Sequence, residues 1–223
     1  MGADIDLLLV PLFIALLDWT AVARHWQKLG YITKPGVILA LLAWLWQATG
    51  FQGPLIWFAL GLFLSLLGDI FLMLPRQQFI AGLVAFSLAL VCYLVGFNLN
   101  FPPVDLPAVL VAFVVFLPSV QIFRRIATGL AEKNLLTLKP AIAIYSLLLT
   151  LFLLSALLTL TRPGWEEEAA LACSLGGLLF YCSEILLAWN RLVAPIPHER
   201  LANRISCQLG QILLTVGVVL QFG

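Results

Sequence analysis

The chain has 223 residues, of which 62% are hydrophobic and only 10% charged, and its mean hydropathy is +1.06. Soluble domains carry about 25% charged residues, so this composition excludes a globule solvated by water on all sides. A net charge of +1 gives no reason to expect a nucleic-acid partner.

Apolar runs long enough to cross a bilayer recur along the whole length. They predict an all-α polytopic membrane bundle forming a single transmembrane domain over 1–223. Its eight spans fall at about 5–23, 34–49, 54–74, 78–98, 107–123, 139–161, 168–190 and 205–222. The first run ends in Ala21-Val22-Ala23, which mimics a signal-peptide cleavage site. Asp4 and Asp6 stand where a signal peptide carries positive charge, so a retained span is expected. Asp6 also argues against myristoylation at Gly2. The second span opens on Thr33-Lys34-Pro35, and Gly50-Phe51-Gln52-Gly53-Pro54 stops it. The third carries Gly68-Asp69-Ile70-Phe71-Leu72 near its end. Pro102-Pro103 follows the fourth, which holds Tyr93. The sixth opens on Leu138-Lys139-Pro140, contains Tyr145-Ser146 and ends at Arg162-Pro163-Gly164. The seventh carries Ser183-Glu184-Ile185-Leu186-Leu187, and the eighth carries Gln208 and Gln211. Cys92, Cys173, Cys182 and Cys207 lie in apolar runs without CxxC spacing and are expected to be small buried side chains.

The connections alternate in charge. One set holds Arg24, Lys28 and Lys34, then Arg76, then Arg124, Arg125, Lys133 and Lys139, then Arg191, Arg200 and Arg204. The other set holds Arg162 alone of the 12 basic residues, against Asp105, Glu166 and Glu167. By the positive-inside rule the basic set is cytoplasmic and both termini lie outside. The Lys-Pro openings of spans two and six, and the single acids of spans three and seven, suggest two parallel four-helix repeats. The lysine-to-acid spacings, about 35 and about 45 residues, make that repeat imperfect.

Depth follows from a rise of about 1.5 Å per residue. Asp18 lies six residues before Arg24, Asp69 seven before Arg76 and Glu184 seven before Arg191. All three acids should sit roughly 10 Å inside the basic edge, level with Tyr145, Ser146, Gln208 and Gln211. A charge facing lipid near mid-bilayer costs about 3 kcal/mol or more, so these residues should turn inward around a hydrated polar pocket open to the cytoplasm. Gly61, Ser65, Gly68 and Asp69 share one helix face, as do Gly177, Tyr181, Glu184 and Ala188, which lets neighbouring helices approach.

Two carboxyls buried near each other can share one proton, supplying one general acid and one general base. Asp69 and Glu184 are the candidates. GxSxG, HExxH, Walker and glycine-rich dinucleotide sequences are missing, and His25 and His198 fall in basic loops, so neither metal nor cofactor is expected. Proton-coupled carriers also use intramembrane acids, so the pair alone does not separate an enzyme from a transporter of lipids or small molecules, or from a binding protein.

Taken together, several stretches resemble the YhhN family of lysoplasmalogenases. They are Lys34-Pro35, Ser65-Leu66-Leu67-Gly68-Asp69, Leu74-Pro75-Arg76-Gln77, Ala85-Phe86 and Tyr93. Tyr145-Ser146 and Gly177-Leu178-Leu179-Phe180 leading to Ser183-Glu184 continue the series, in order from 34 to about 190. The resemblance implies an eight-helix enzyme, in a bacterial inner membrane, that hydrolyses the vinyl ether bond of a lysophospholipid substrate. Products would be a fatty aldehyde and a glycerophospho-ethanolamine or -choline, with no cofactor. Asp69 and Glu184 would act as acid and base in either order. Asp18, Tyr145, Ser146, Ser183, Tyr93 and Gln211 would orient water or substrate, and Lys34 and Lys139 would bind phosphate. The family commonly has aspartate at the place of Glu184 and histidine at that of Leu90. These departures leave a catalytically inactive relative as an alternative.

Overall fold

The computed structural model describes residues 5–74, 78–100 and 105–223, without the side chains of Ile5 and Asp6. Eight α-helices account for most of them: α1 (Ile5–Ala23), α2 (Gln27–Thr49), α3 (Leu55–Met73), α4 (Phe79–Phe97), α5 (Leu106–Glu132), α6 (Lys139–Leu158), α7 (Glu167–Leu192) and α8 (Glu199–Phe222). A short 3₁₀ turn, Leu136–Leu138, precedes α6. No strand occurs among the described residues. Helices α2 to α8 are each long and apolar enough to span a bilayer, and α1 contributes a shorter apolar stretch, Leu7–Ala23. The protein is a polytopic helical membrane bundle. Arg76 and Pro102-Pro103, read above as loop signals, lie outside the described residues.

Three helices extend beyond the apolar runs at the basic end. Helix α2 starts at Gln27, α5 continues past Arg124 and Arg125 to Glu132, and α8 starts at Glu199. Hydropathy marks where lipid contact ends, whereas the backbone hydrogen-bond ladder continues into water wherever propensity allows. The ends opposite the basic side follow turn chemistry. Gly50 closes α2 at φ 60°, donating to the Trp46 carbonyl, a left-handed cap for which glycine has no steric cost. Asp105 caps α5 by accepting from the Ala108 amide at 2.9 Å.

Successive helices pack in both halves, α1 on α2 on α3 on α4 and α5 on α6 on α7 on α8. Across the halves α4 meets α6, and α8 meets α1, α2 and α3. Helices α7 and α8 cross backbone to backbone. A Cβ on Gly176 would come within 2.6 Å of the Leu214 amide nitrogen, and one on Gly210 within 2.7 Å of the Phe180 nitrogen. Such approach is the use that membrane helices make of small residues. On α3, Gly68 clears room for the Phe86 ring of α4, which sets the face of α3 that carries Asp69. The apolar core is an aromatic stack of Phe58, Tyr93, Phe97, Phe152 and Phe180 linking α3, α4, α6 and α7. Cys173 and Cys207 are buried and Cys92 partly so. Cys182 is exposed on α7, unlike the sequence expectation, and all four thiols are free.

Candidate active site

Each acid of the predicted layer is buried, but the three have different partners. Asp69 forms an ion pair with Lys34 of α2, 2.7 Å from Nζ to Oδ1. Glu184 accepts a 2.6 Å hydrogen bond at Oε2 from the Tyr145 hydroxyl. The first pair joins α2 to α3 and the second joins α6 to α7.

Asp18 belongs to a separate cluster. It is fully buried, and Arg204 Nη1 donates to both its oxygens at 3.1 and 2.8 Å. Thr33 Oγ1 adds a bond at 2.6 Å and Gln208 Nε2 one at 2.8 Å. Four hydrogen bonds from these three groups fill the four acceptor sites of a carboxylate, leaving none to orient a substrate. Gln208 is fixed in turn by Trp19 Nε1 at 2.6 Å. Asp18 therefore latches α1 and α2 to α8 and departs from its expected role. Ser183 also departs from expectation, because its buried hydroxyl donates back to the Phe180 carbonyl at 2.7 Å. Lys139 is exposed at the first turn of α6, and Lys34 is committed to Asp69 rather than standing free for phosphate. His25 and His198 are exposed loop residues. Tyr93, Gln211 and Ser65 are buried with side-chain polar atoms that have no partner among the described residues.

The cavity beside Glu184 is mainly apolar, which corrects the expectation of a hydrated polar pocket. The acids satisfy one another's surroundings locally through Lys34, Tyr145, Arg204 and Gln208, so no water-filled vestibule is needed to solvate them. The cavity runs along α7 from Tyr181 past Glu184 and Ala188 to Arg191 and Leu192. Tyr145, Ser146, Leu149 and Thr150 line it from α6, Phe79, Leu83 and Phe86 from α4, and Ser119, Ile122, Phe123 and Ile126 from α5. Asp69 does not line it, although Leu72, three residues further along α3, does. The end remote from the basic side is closed by Tyr181 and Ser119, whose hydroxyls are 2.6 Å apart. An apolar cleft with one buried carboxyl and two tyrosines suits a single hydrocarbon chain carrying a reactive polar bond.

The YhhN family profile matches residues 29–218, a stretch holding the Lys34–Asp69 and Tyr145–Glu184 pairs and every helix that lines the cavity. The chain belongs to the YhhN family. Two curated relatives are lysoplasmalogenase TMEM86B of Sus scrofa and of Rattus norvegicus. The pig protein is 30% identical over 154 residues, covering 69% of this chain and 59% of the relative, so the match spans less than two thirds of that protein. The rat protein is 30% identical over 189 residues, covering 84% of this chain and 72% of the relative. No solved structure matches the chain. Within this YhhN protein, sequence reasoning missed Arg191, Ser119 and Tyr181 as cavity residues. The signal was present on α7, since Tyr181, Glu184, Ala188 and Arg191 follow one face at steps of three and four. Arg191 falls at the end of the apolar run, where charge counting treats it as a membrane anchor.

Proposed function

We propose that this YhhN protein hydrolyses the vinyl ether bond of a lysoplasmalogen, giving a fatty aldehyde and a glycerophospho-ethanolamine or -choline. The observation that carries this reading is the placement of Glu184, hydrogen-bonded by Tyr145, as the carboxyl lining a cleft that suits one hydrocarbon chain. Family membership and the names of the mammalian relatives support it.

The chemistry starts from Glu184, the carboxyl that faces the cleft. Glu184 delivers a proton to the β-carbon of the vinyl ether, which leaves an oxocarbenium-like cation at the α-carbon. The resulting carboxylate beside that cation stabilises it. Water adds to the α-carbon and loses a proton to a base, and the hemiacetal collapses to aldehyde and glycerol hydroxyl. Asp69, ion-paired with Lys34 and set back from the cleft lining, takes the base role. Ser65, Tyr93 and Gln211 offer unpartnered buried polar atoms suited to holding water. By the positive-inside rule the acid layer faces the cytoplasm, in a bacterial inner membrane.

Purified protein in detergent, given a lysoplasmalogen, should release free aldehyde. Glu184→Gln and Asp69→Asn should each lower that release about 10²–10⁴-fold, the usual contribution of a positioned acid or base. Undiminished release in both variants would sink the acid–base assignment.

A further inference from the structure

We propose that Arg191 is the phosphate anchor of the cleft, its guanidinium holding the phosphodiester of a single-chain phospholipid whose reactive bond lies at Glu184. This rests on the lysoplasmalogen reading above and replaces Lys34 and Lys139 in the phosphate role. Arg191 is the one cation among the described residues lining the cleft. It forms no ion pair and no side-chain hydrogen bond among the described residues, whereas Lys34 is paired with Asp69 and Lys139 stands outside the cleft. Its guanidinium lies 5.9 Å above the centre of the Phe79 ring, which restrains it without using its donors. The helix end that carries it is held from α5, because Lys133 Nζ donates to the Arg191 carbonyl at 2.5 Å.

Spacing matches the ligand. Arg191 follows Glu184 by seven residues, two turns of α7 or about 10 Å along the axis. In a lysoplasmalogen, seven bonds separate the vinyl β-carbon from phosphorus, about 8 Å when extended. A phosphate held by Arg191 at the basic end of the cleft therefore sets the vinyl ether near Glu184. The hydrocarbon chain continues toward Tyr181. A guanidinium can bind a phosphodiester through two parallel hydrogen bonds, which fixes orientation as well as position.

The test is equilibrium binding of two non-cleavable lipids of equal chain length to the detergent-purified protein. One is a saturated-ether lysophosphatidylethanolamine, the other the matching alkylglycerol without phosphate. Arg191→Gln should weaken the phospholipid about ten- to a hundredfold, the scale of hydrogen bonds to a charged group, and leave the alkylglycerol unchanged. Arg191→Lys, which keeps the charge but loses the fork, should fall between, and Lys139→Gln should match the wild type. If Arg191→Gln does not fold, Arg191→Lys decides by the same selective weakening. Equal weakening of both lipids, no weakening of either, or a wild type that binds the two alike or not at all would overturn the anchor. Aldehyde release separates this proposal from the one it rests on. Arg191-dependent binding without release would sink the hydrolase and keep the anchor; release with Arg191-independent binding would do the reverse.

Discussion

Two seams of the bundle take opposite forms. Matched in chain order, α1–α4 and α5–α8 share the same run of neighbours, and the α1–α8 seam corresponds to the one between α5 and α4. The first is sealed: Asp18 of α1, Arg204 and Gln208 of α8, Trp19 and Thr33 interlock in a network centred on the buried Asp18 carboxylate. The second does not close, since no Cα of α4 lies within 8 Å of one of α5 among the described residues. Helix α5 is held instead from α6 and α7. Gly129 packs against the Leu192 carbonyl at the basic end, and Ile126, Leu130, Ile142 and Leu192 form a small apolar cluster there. The cleft occupies the space left between α4 and α5. A polar latch needs its donors and acceptors complete, so it fixes one geometry; an apolar seam can part and close over a chain without leaving polar groups unsatisfied.

The contrast is broken most severely at the latch. Removing one member of a buried ion pair strands the other, at a cost of about 3–5 kcal/mol. Asp18→Ala or Arg204→Ala should therefore lower the thermal stability of the detergent-purified protein sharply, with aldehyde release per folded molecule unchanged. Replacing both by apolar residues, Asp18→Leu with Arg204→Met, should recover most of the loss. A stable but inactive Asp18→Ala protein would make the sealed seam part of the reaction rather than its support.

On the open seam, the next largest effect belongs to Tyr145. Its hydroxyl donates to Glu184 at 2.6 Å, and phenylalanine keeps the ring in place while removing the donor. A hydrogen bond to a charged group contributes about 1.5–3 kcal/mol, so Tyr145→Phe should lower kcat about ten- to a hundredfold with little change in melting temperature. Stability loss equal to that of Asp18→Ala would instead make Tyr145 a second latch.

The same two seams show which parts were legible in the sequence. Helix number and order follow from apolar runs, and counting along a constant helical rise assigns the three acids one expected depth. Azimuth is a different quantity. Asp18, Asp69 and Glu184 look alike in depth, yet Asp18 pairs with a residue 186 positions away and Asp69 with one in the neighbouring helix. Depth counting places a residue along the axis, whereas helix neighbours decide which partner it meets. Arg204 and Arg191 carry the same signature as basic residues beside an apolar run, yet one pairs, half-buried, with an acid and the other lines a cleft. Helix α8 starts five residues before Arg204, earlier than hydropathy predicts, and this brings the guanidinium to Asp18.

The smallest effect tests the closed end of the cleft. Ser119 Oγ donates to the Val115 carbonyl at 2.7 Å, and a hydroxyl has one proton, so the Tyr181 hydroxyl is the donor in the 2.6 Å pair. Ser119→Ala removes that acceptor and should cost about 1 kcal/mol of stability. Its larger consequence is geometric. Tyr181 lines the cleft one helix turn beyond Glu184 from Arg191, so freeing its ring should let longer chains extend past it. Aldehyde release measured across a series of chain lengths should shift toward longer substrates in Ser119→Ala, with the rate on short chains unchanged. Tyr181→Phe, which loses the same bond but keeps the ring, should shift in the same direction. An unchanged profile in both would mean that the chain leaves the cleft sideways between α4 and α5, and the open seam would then be the route of the hydrocarbon rather than the wall of its slot.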